Sequence, residues 1–261
     1  MGILNVTPDS FSDGGRYFGA QSALERALEM QKQGADIIDV GAQSTRPGAS
    51  VISADEEIAR LAPVFDKLQG KLYVPISVDT FYPEVAGYAL KNGALIVNDV
   101  SGLPMTDMAK IVKKHNAGWI IMHNPGGQSG ATSKIQYENG VIEALQAFFA
   151  GALKTAESFG ISKHAICFDP GFGFGKTTSM HAELLKNLGV IKRNWQQNAA
   201  PATPLLVGLS RKRFVREVFS AETERELDIA SAALHASAVK NSADIIRTHN
   251  VSLTKKVLEI L

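Results

Sequence analysis

Short apolar runs rich in β-branched residues alternate along the chain with longer stretches whose apolar positions recur every three or four residues. The runs are GILNV, ADIIDV, LYVPISVD, ALIVNDV, GWIIMH, AICFDP, PLLVGLS and ADIIRTH, which read as strands buried on both faces. Between them a helical period covers Gln21 to Gln33, Ala54 to Gln69, Pro83 to Lys91, Met108 to His115, Gly140 to Ser158, His181 to Asn194, Leu227 to Lys240 and Ser252 to Leu261. Local signals fit these limits. Ser53 with Glu56 has the capping-box form, Pro83 suits a first helical turn, and Gly34-Ala35 and Gly93-Ala94 read as helix ends feeding a strand.

About eight strands in strict β/α alternation over 261 residues are what a (β/α)8 barrel requires. An open doubly wound sheet shares the alternation, and the pattern favours the barrel over it. No Pro/Gly/Ser-rich linker breaks the composition, so the expectation is an α/β chain with one domain over residues 1–261: a TIM barrel with its site at the C-terminal mouth of the strands.

Charge and composition narrow the partners. Lys+Arg 27 against Asp+Glu 26 leaves a net charge of +1, so no global field draws in nucleic acid or an anionic membrane. No run approaches the roughly 18 apolar residues of a membrane span. The single cysteine, Cys167, lies in the apolar run AICF and reads as a small buried hydrophobe in a reducing compartment, which places the chain in the cytoplasm.

Nearly every apolar run ends in a polar or ionisable residue: Asn5, Asp39, Asp79, Asn98 with Asp99, His123, Asp169, Ser210-Arg211-Lys212, and Arg247 with His249. In a barrel these ends converge on one mouth, which makes neighbours of residues scattered in sequence. Asp79, Asn98 and Asp169 can meet a planar nitrogen-rich heterocycle, because a carboxylate accepts two parallel N–H bonds from an amidine-like edge. Arg46, Arg211, Lys212, Arg247 and His249 can hold a polyanion. Together they point to a heteroaromatic substrate carrying phosphate. The loops 5–15 and 44–48, rich in Gly, Ser and Asp, are placed to close over it.

Other motifs are weaker. The segment Asp169 to Thr177 ends like a phosphate-binding loop, but Pro170 stands where its first glycine is required, leaving a strand-to-helix turn or a pocket loop shaped by Phe174. His115, His164, His181 and His235 read as ordinary helix or loop positions, and His123 stays open between a structural and a site role. No HExxH or close His/Cys pair marks a zinc site.

The series MGILNVTPDSFSDGG, STRPG, ISVDT, NDVSG, DPGFGFGK, SRK and RTH, in that order and over almost the whole chain, resembles the dihydropteroate synthases of bacterial folate biosynthesis, a pterin-binding TIM-barrel family. The resemblance implies transfer of the pterin-methyl group from 7,8-dihydropterin-6-ylmethyl diphosphate to p-aminobenzoate, with Mg²⁺ as cofactor, a homodimeric assembly and sulfonamides as inhibitors. It assigns catalysis to Asp79, Asp169 and Lys212, and the pterin pocket to these three with Asn98. Diphosphate contacts fall to Asn5, Thr45, Arg46, Arg247 and His249, with Asn5 a direct Mg²⁺ ligand. Phe11, Phe174, Thr45 and Lys212 line the p-aminobenzoate pocket.

Three departures from the family pattern stand out. Gln43 replaces the usual Glu before STRPG, Asn250 replaces the usual Asp after His249, and Asn124-Pro125-Gly126-Gly127 replaces Met-Gln-Gly. They bear on p-aminobenzoate affinity and sulfonamide response. The chain also begins at its first strand, where the family typically carries a short leading segment. Two other readings keep the pterin pocket: an inactive pterin-binding paralogue, and a methyltetrahydrofolate-binding methyltransferase domain. The cations of SRK and RTH oppose the second, which has no diphosphate to hold.

Overall fold

In the computed structural model, which describes residues 1–6, 15–43, 51–102, 106–127, 135–198 and 203–261, each apolar run contains a strand. These are β1 (Gly2–Asn5), β2 (Ile38–Gly41), β3 (Ile76–Thr80), β4 (Ala94–Asp99), β5 (Gly118–Met122), β6 (Ile166–Asp169), β7 (Leu206–Val207) and β8 (Ile245–Ile246). The helices are α1 (Gly15–Lys32), α2 (Ala54–Leu68), α3 (Pro83–Lys91), α4 (Thr106–His115), α5 (Val141–Ser158), α6 (Thr178–Asn198), α7 (Arg213–Phe219), α8 (Glu224–Lys240) and α9 (Val251–Leu258).

Strands β1 to β6 pair in sequence order and in parallel, and β7 pairs with β8. Parallel bridges Phe168↔Leu205 and Gly2↔Thr248 join that pair to β6 on one side and β1 on the other. The ring is closed, so the barrel and not the open sheet is the fold.

Helix α7 is the element that the apolar period did not show. It has seven residues, and Lys212 at its N-cap makes no side-chain cap bond, so neither length nor capping announced it. Pro83 does open α3. Ser53 caps α2 by accepting from Glu56 N, but the Glu56 side chain turns to Arg60 at 2.5 Å instead of closing the box. The complete capping box belongs to α8, where Thr223 and Glu226 bond reciprocally and start the helix ahead of Leu227.

Alternation along each strand stacks two layers inside the ring. Met1, Ile120, Cys167 and Leu206 pack with Ile37, Ile96 and Ile245 as an apolar floor. Two residues further along the same strands stand Asp39, Asn98, Asp169 and Arg247, a polar storey above it. Outside the ring, Phe149 stacks on Phe168 at 4.1 Å and both meet Trp195 edge-on, clamping β6 beneath α5 and α6. Among the described residues no helix is long and apolar enough to cross a membrane.

Candidate active site

Arg247 organises the polar storey. Its Nε donates to Asp39 Oδ2 at 2.6 Å and its Nη2 to Asp79 Oδ2 at 2.5 Å, while Asn98 Nδ2 donates to the same Asp39 oxygen at 3.0 Å. Four strand ends, β2, β3, β4 and β8, are thereby locked in register at the mouth. Three acceptors are left over: Asp39 Oδ1, Asp79 Oδ1 and Asn98 Oδ1 are buried without a hydrogen-bond partner among the described residues. Burial pushes the Asp79 carboxyl up to about 7, against the pull of the Arg247 guanidinium, with Asp39 adding to the rise. Burial works against the charge on Arg247, yet Asp39 and Asp79 outweigh it and hold the guanidinium above its ordinary value.

On the other side of the mouth, Asp169 accepts from Gly171 N at 2.8 Å, and burial likewise raises its carboxyl, opposed first by Lys212. The Lys212 ammonium donates to Phe172 O and lies 4.7 Å from the centre of the Phe174 ring. Burial lowers Lys212 to about 8, with Asp169 acting to raise it. Phe174 packs against Phe81, Val100 and Met122, so a flat apolar wall adjoins the charged storey.

The loop carrying Phe174 is tied from within by Lys176, whose buried ammonium donates to His123 O at 3.2 Å, Gly171 O at 2.9 Å and Phe174 O at 3.1 Å. Gly171 has φ +66°, and a Cβ there would stand 2.1 Å from His123 O. Only glycine lets this loop lie against β5. Lys176→Met is expected to take the Lys176 donor from all three carbonyls, of which Gly171 O keeps Phe174 N, and to lower stability by about 2–4 kcal/mol. Thermal melting checks this; an unchanged melting temperature would show the loop is held by other means.

His123 is buried, meets Phe148 edge-on at 5.0 Å and is lowered by burial to about 3, so it is a neutral ring packed under α5. His181 and His235 accept backbone N–H bonds from Gly173 and Leu209, as their ordinary reading predicts. His249 Nδ1 lies 2.9 Å from Ser210 Oγ, which joins the β7 and β8 loops. Asn5 is exposed at the end of β1, paired in register with Gly41. Phe11, Thr45 and Arg46 lie outside the described residues.

The departures have local partners. Gln43 Oε1 accepts from Ile52 N at 3.3 Å, and Arg60 donates to Ala42 O at 3.2 Å, tying the residues just after β2 to those at and before α2. Asn124 Nδ2 donates to Val100 O at 2.9 Å and Gly127 O at 3.0 Å, tying the loop after β4 to the loop after β5.

Three residues gain a part that their sequence positions did not assign. Asp39, visible only as a polar strand end, is the acceptor shared by Arg247 and Asn98. Lys176 is the centre of its loop. Glu57 on α2 is fully buried, accepts from Thr80 Oγ1 at 3.2 Å, and is raised to about 7, chiefly by burial. Folded protein therefore keeps on Glu57 a proton that the unfolded chain has lost between pH about 4.5 and 7, so stability falls as pH rises through that window. Glu57→Gln is expected to remove up to about 3 kcal/mol of that slope, read from denaturant melts at pH 5 and 8. An unaltered slope would show that Glu57 is already ionised at pH 5.

At the mouth of this closed parallel barrel, buried carboxylates and an amide stand beside cations and an aromatic wall, a set of groups suited to the ring and charge of a substrate of the pterin-binding enzymes. The chain belongs to that family, whose model, described as pterin binding enzyme, matches residues 1–249. More narrowly, its family is that of the dihydropteroate synthases. The one from Staphylococcus haemolyticus is 41% identical across 99% of this chain and 92% of its own length. The solved Xanthomonas albilineans dihydropteroate synthase with 4-aminobenzoic acid matches with a TM-score of 0.89 at 36% identity, covering 100% of this chain and 90% of that one. A structure of the enzyme from the same organism with 7,8-dihydropteroate matches with a TM-score of 0.86 at 33% identity and the same coverage.

Proposed function

We propose that the polar storey carries the dihydropteroate synthase reaction, in which the dihydropterin-methyl group passes from its diphosphate to p-aminobenzoate. One observation supports this most: buried, unpartnered acceptors on Asp39, Asp79 and Asn98 stand beside Arg247. A pterin edge presents N–H donors to such acceptors, and a diphosphate on the neighbouring carbon presents negative charge to Arg247 and His249. Asp79, Asn98 and Asp169 take the ring. Lys212 borders it, and Phe174 with Lys212 forms one wall for the aminobenzoate, where a sulfonamide would compete. Phe11, Thr45 and Arg46 complete the two anionic and aromatic subsites.

As the methylene–oxygen bond breaks, positive charge grows on the pterin-methyl group, and the buried carboxylates stabilise it more than they stabilise the neutral substrate. The arylamine nitrogen then bonds to the methylene carbon and releases a proton. Arg247 and His249 hold the departing diphosphate. No enzyme nucleophile is required.

Asn5 offers one exposed amide oxygen at the mouth, and the described residues contain no group of three His, Cys, Asp or Glu side chains to cage a metal ion. That donor set fits Mg²⁺ held by Asn5 together with phosphate oxygens and water. Bound there, the ion would neutralise charge on the leaving group. One domain over residues 1–261, a homodimer and a cytoplasmic site of action complete the proposal; light scattering at assay concentration tests the dimer.

The deciding assay follows diphosphate release from the pterin diphosphate with Mg²⁺, with and without p-aminobenzoate, alongside chromatography for dihydropteroate. Aminobenzoate-dependent release with matching product is the expected result. Pterin binding without product would identify an inactive paralogue.

A further inference from the structure

Asp228 lies on α8, away from the strand ends, and is 7% exposed. Its Oδ1 accepts Arg211 Nε at 2.7 Å and its Oδ2 accepts Arg211 Nη2 at 2.9 Å, a two-pronged fork. The same Oδ2 accepts Asn250 Nδ2 at 2.9 Å. Although burial acts to raise it, the bonds from Arg211 and Asn250 hold the Asp228 carboxyl below its ordinary value, so it is an anion.

What Asp228 holds is the backbone around two site residues. Arg211 sits between Ser210 and Lys212 with φ +56°, a left-handed conformation that non-glycine residues seldom adopt, and its N donates to Ser231 Oγ at 3.1 Å. Asn250 directly follows His249, whose own N donates to Ser210 Oγ at 3.1 Å. One carboxylate on α8 thus pins the loop after β7 at Arg211 and the loop after β8 at Asn250, and between those two points lies the Ser210–His249 contact.

The amide at 250 is required by this arrangement. Asn250 Oδ1 caps α9 by accepting from Leu253 N at 3.1 Å while its Nδ2 donates to Asp228. An aspartate at 250 could cap the helix but has no N–H to donate, and would set a second carboxylate at hydrogen-bond distance from the first. The departure from the usual family residue is therefore one half of a pair. From this geometry we infer that Asp228 and Asn250 are mutually specified positioning residues, which aim His249 at the diphosphate end of the substrate.

The inference rests on the reading of His249 as a diphosphate contact, and the test separates the two. Binding of inorganic diphosphate with Mg²⁺ is measured by calorimetry, together with KM for both substrates, in Asn250→Asp, Asn250→Ser, Asp228→Asn, the Asn250→Asp/Asp228→Asn double variant and His249→Ala. Asn250→Asp is expected to weaken diphosphate and raise KM for the pterin diphosphate about tenfold. KM for p-aminobenzoate should stay within about twofold, since the pterin and aminobenzoate walls are untouched. Serine keeps the α9 cap but removes the amide, so Asn250→Ser should melt near the parent and still lose affinity several-fold. The double variant restores an amide-to-carboxylate bond with its polarity reversed but gives up one prong of the Arg211 fork, so it should recover part of the loss. If His249→Ala loses diphosphate while Asn250→Asp and Asn250→Ser bind it normally, or if the double variant shows the full product of the single losses, the positioning role is overturned. If His249→Ala itself binds diphosphate normally, the diphosphate reading falls, and this inference with it.

Discussion

Arg247→Ala is expected to lower the stability of the ligand-free protein by about 3–5 kcal/mol, before any substrate is considered. The guanidinium serves Asp39, which is fully buried, and Asp79, whose side chain is 12% exposed. Its loss leaves two carboxylates close together in a site that already disfavours charge. For a chain of this size that corresponds to a drop of roughly 10 °C in melting temperature. Lysine would substitute poorly, because its N–H groups radiate from one nitrogen and cannot match the spaced Nε and Nη2 donors with which Arg247 reaches Asp39 and Asp79. Adding Asp39→Asn to the alanine variant should recover part of the loss, since it removes one unpaired charge. Scanning calorimetry decides the matter, and a shift below about 2 °C would show that the pairs contribute little. Diphosphate affinity should fall as well, so both losses have to be measured in the same preparation.

Asp79→Asn separates binding from stability. The carboxyl is raised to about 7, mainly by burial, so the folded protein holds a proton that the unfolded chain has lost between pH about 4 and 7. Over that window this group makes stability fall as pH rises. Asparagine abolishes the dependence, and at pH 8 the variant should be at least as stable as the parent. Pterin affinity should drop roughly 10- to 150-fold, the equivalent of the 1.5–3 kcal/mol of a charge-assisted bond. The parent's affinity for pterin should climb as pH passes 7 and the carboxylate forms; the variant's should not. Calorimetric titration at pH 6 and 8 reads both, and a parent with flat affinity would remove Asp79 from the pterin contacts.

Much of this site could be read from the chain because strand periodicity is short and the barrel is parallel. With side chains alternating and all C-terminal ends at one mouth, Asp79, Asn98, Asp169 and Arg247 had to become neighbours once the eight strands were recognised. What alternation cannot supply is the partner of each. Asp39 is one strand end among many until Arg247 and Asn98 are seen to converge on a single oxygen. Lys176 and Glu57 were hidden for another reason: a charged residue in a loop or on a helix ordinarily faces water, and only the assembled packing shows them buried among carbonyls or beside Thr80. Asn250 read as an anomaly because its explanation lies on α8, more than twenty residues upstream. Helix α7 is too short for its period to register.

The layering inside the barrel divides what can change from what cannot. The floor formed by Ile37, Ile96, Ile120, Cys167, Leu206 and Ile245 is set by the strands that carry the site, yet it lies one step of alternation below it. Trimming or filling that floor, as in Ile120→Val, should move stability by about 0.5–1.5 kcal/mol without displacing a charged atom. Heat tolerance and substrate preference can therefore drift independently in this lineage, along positions that alternate on a single strand. A variant selected for one need not sacrifice the other.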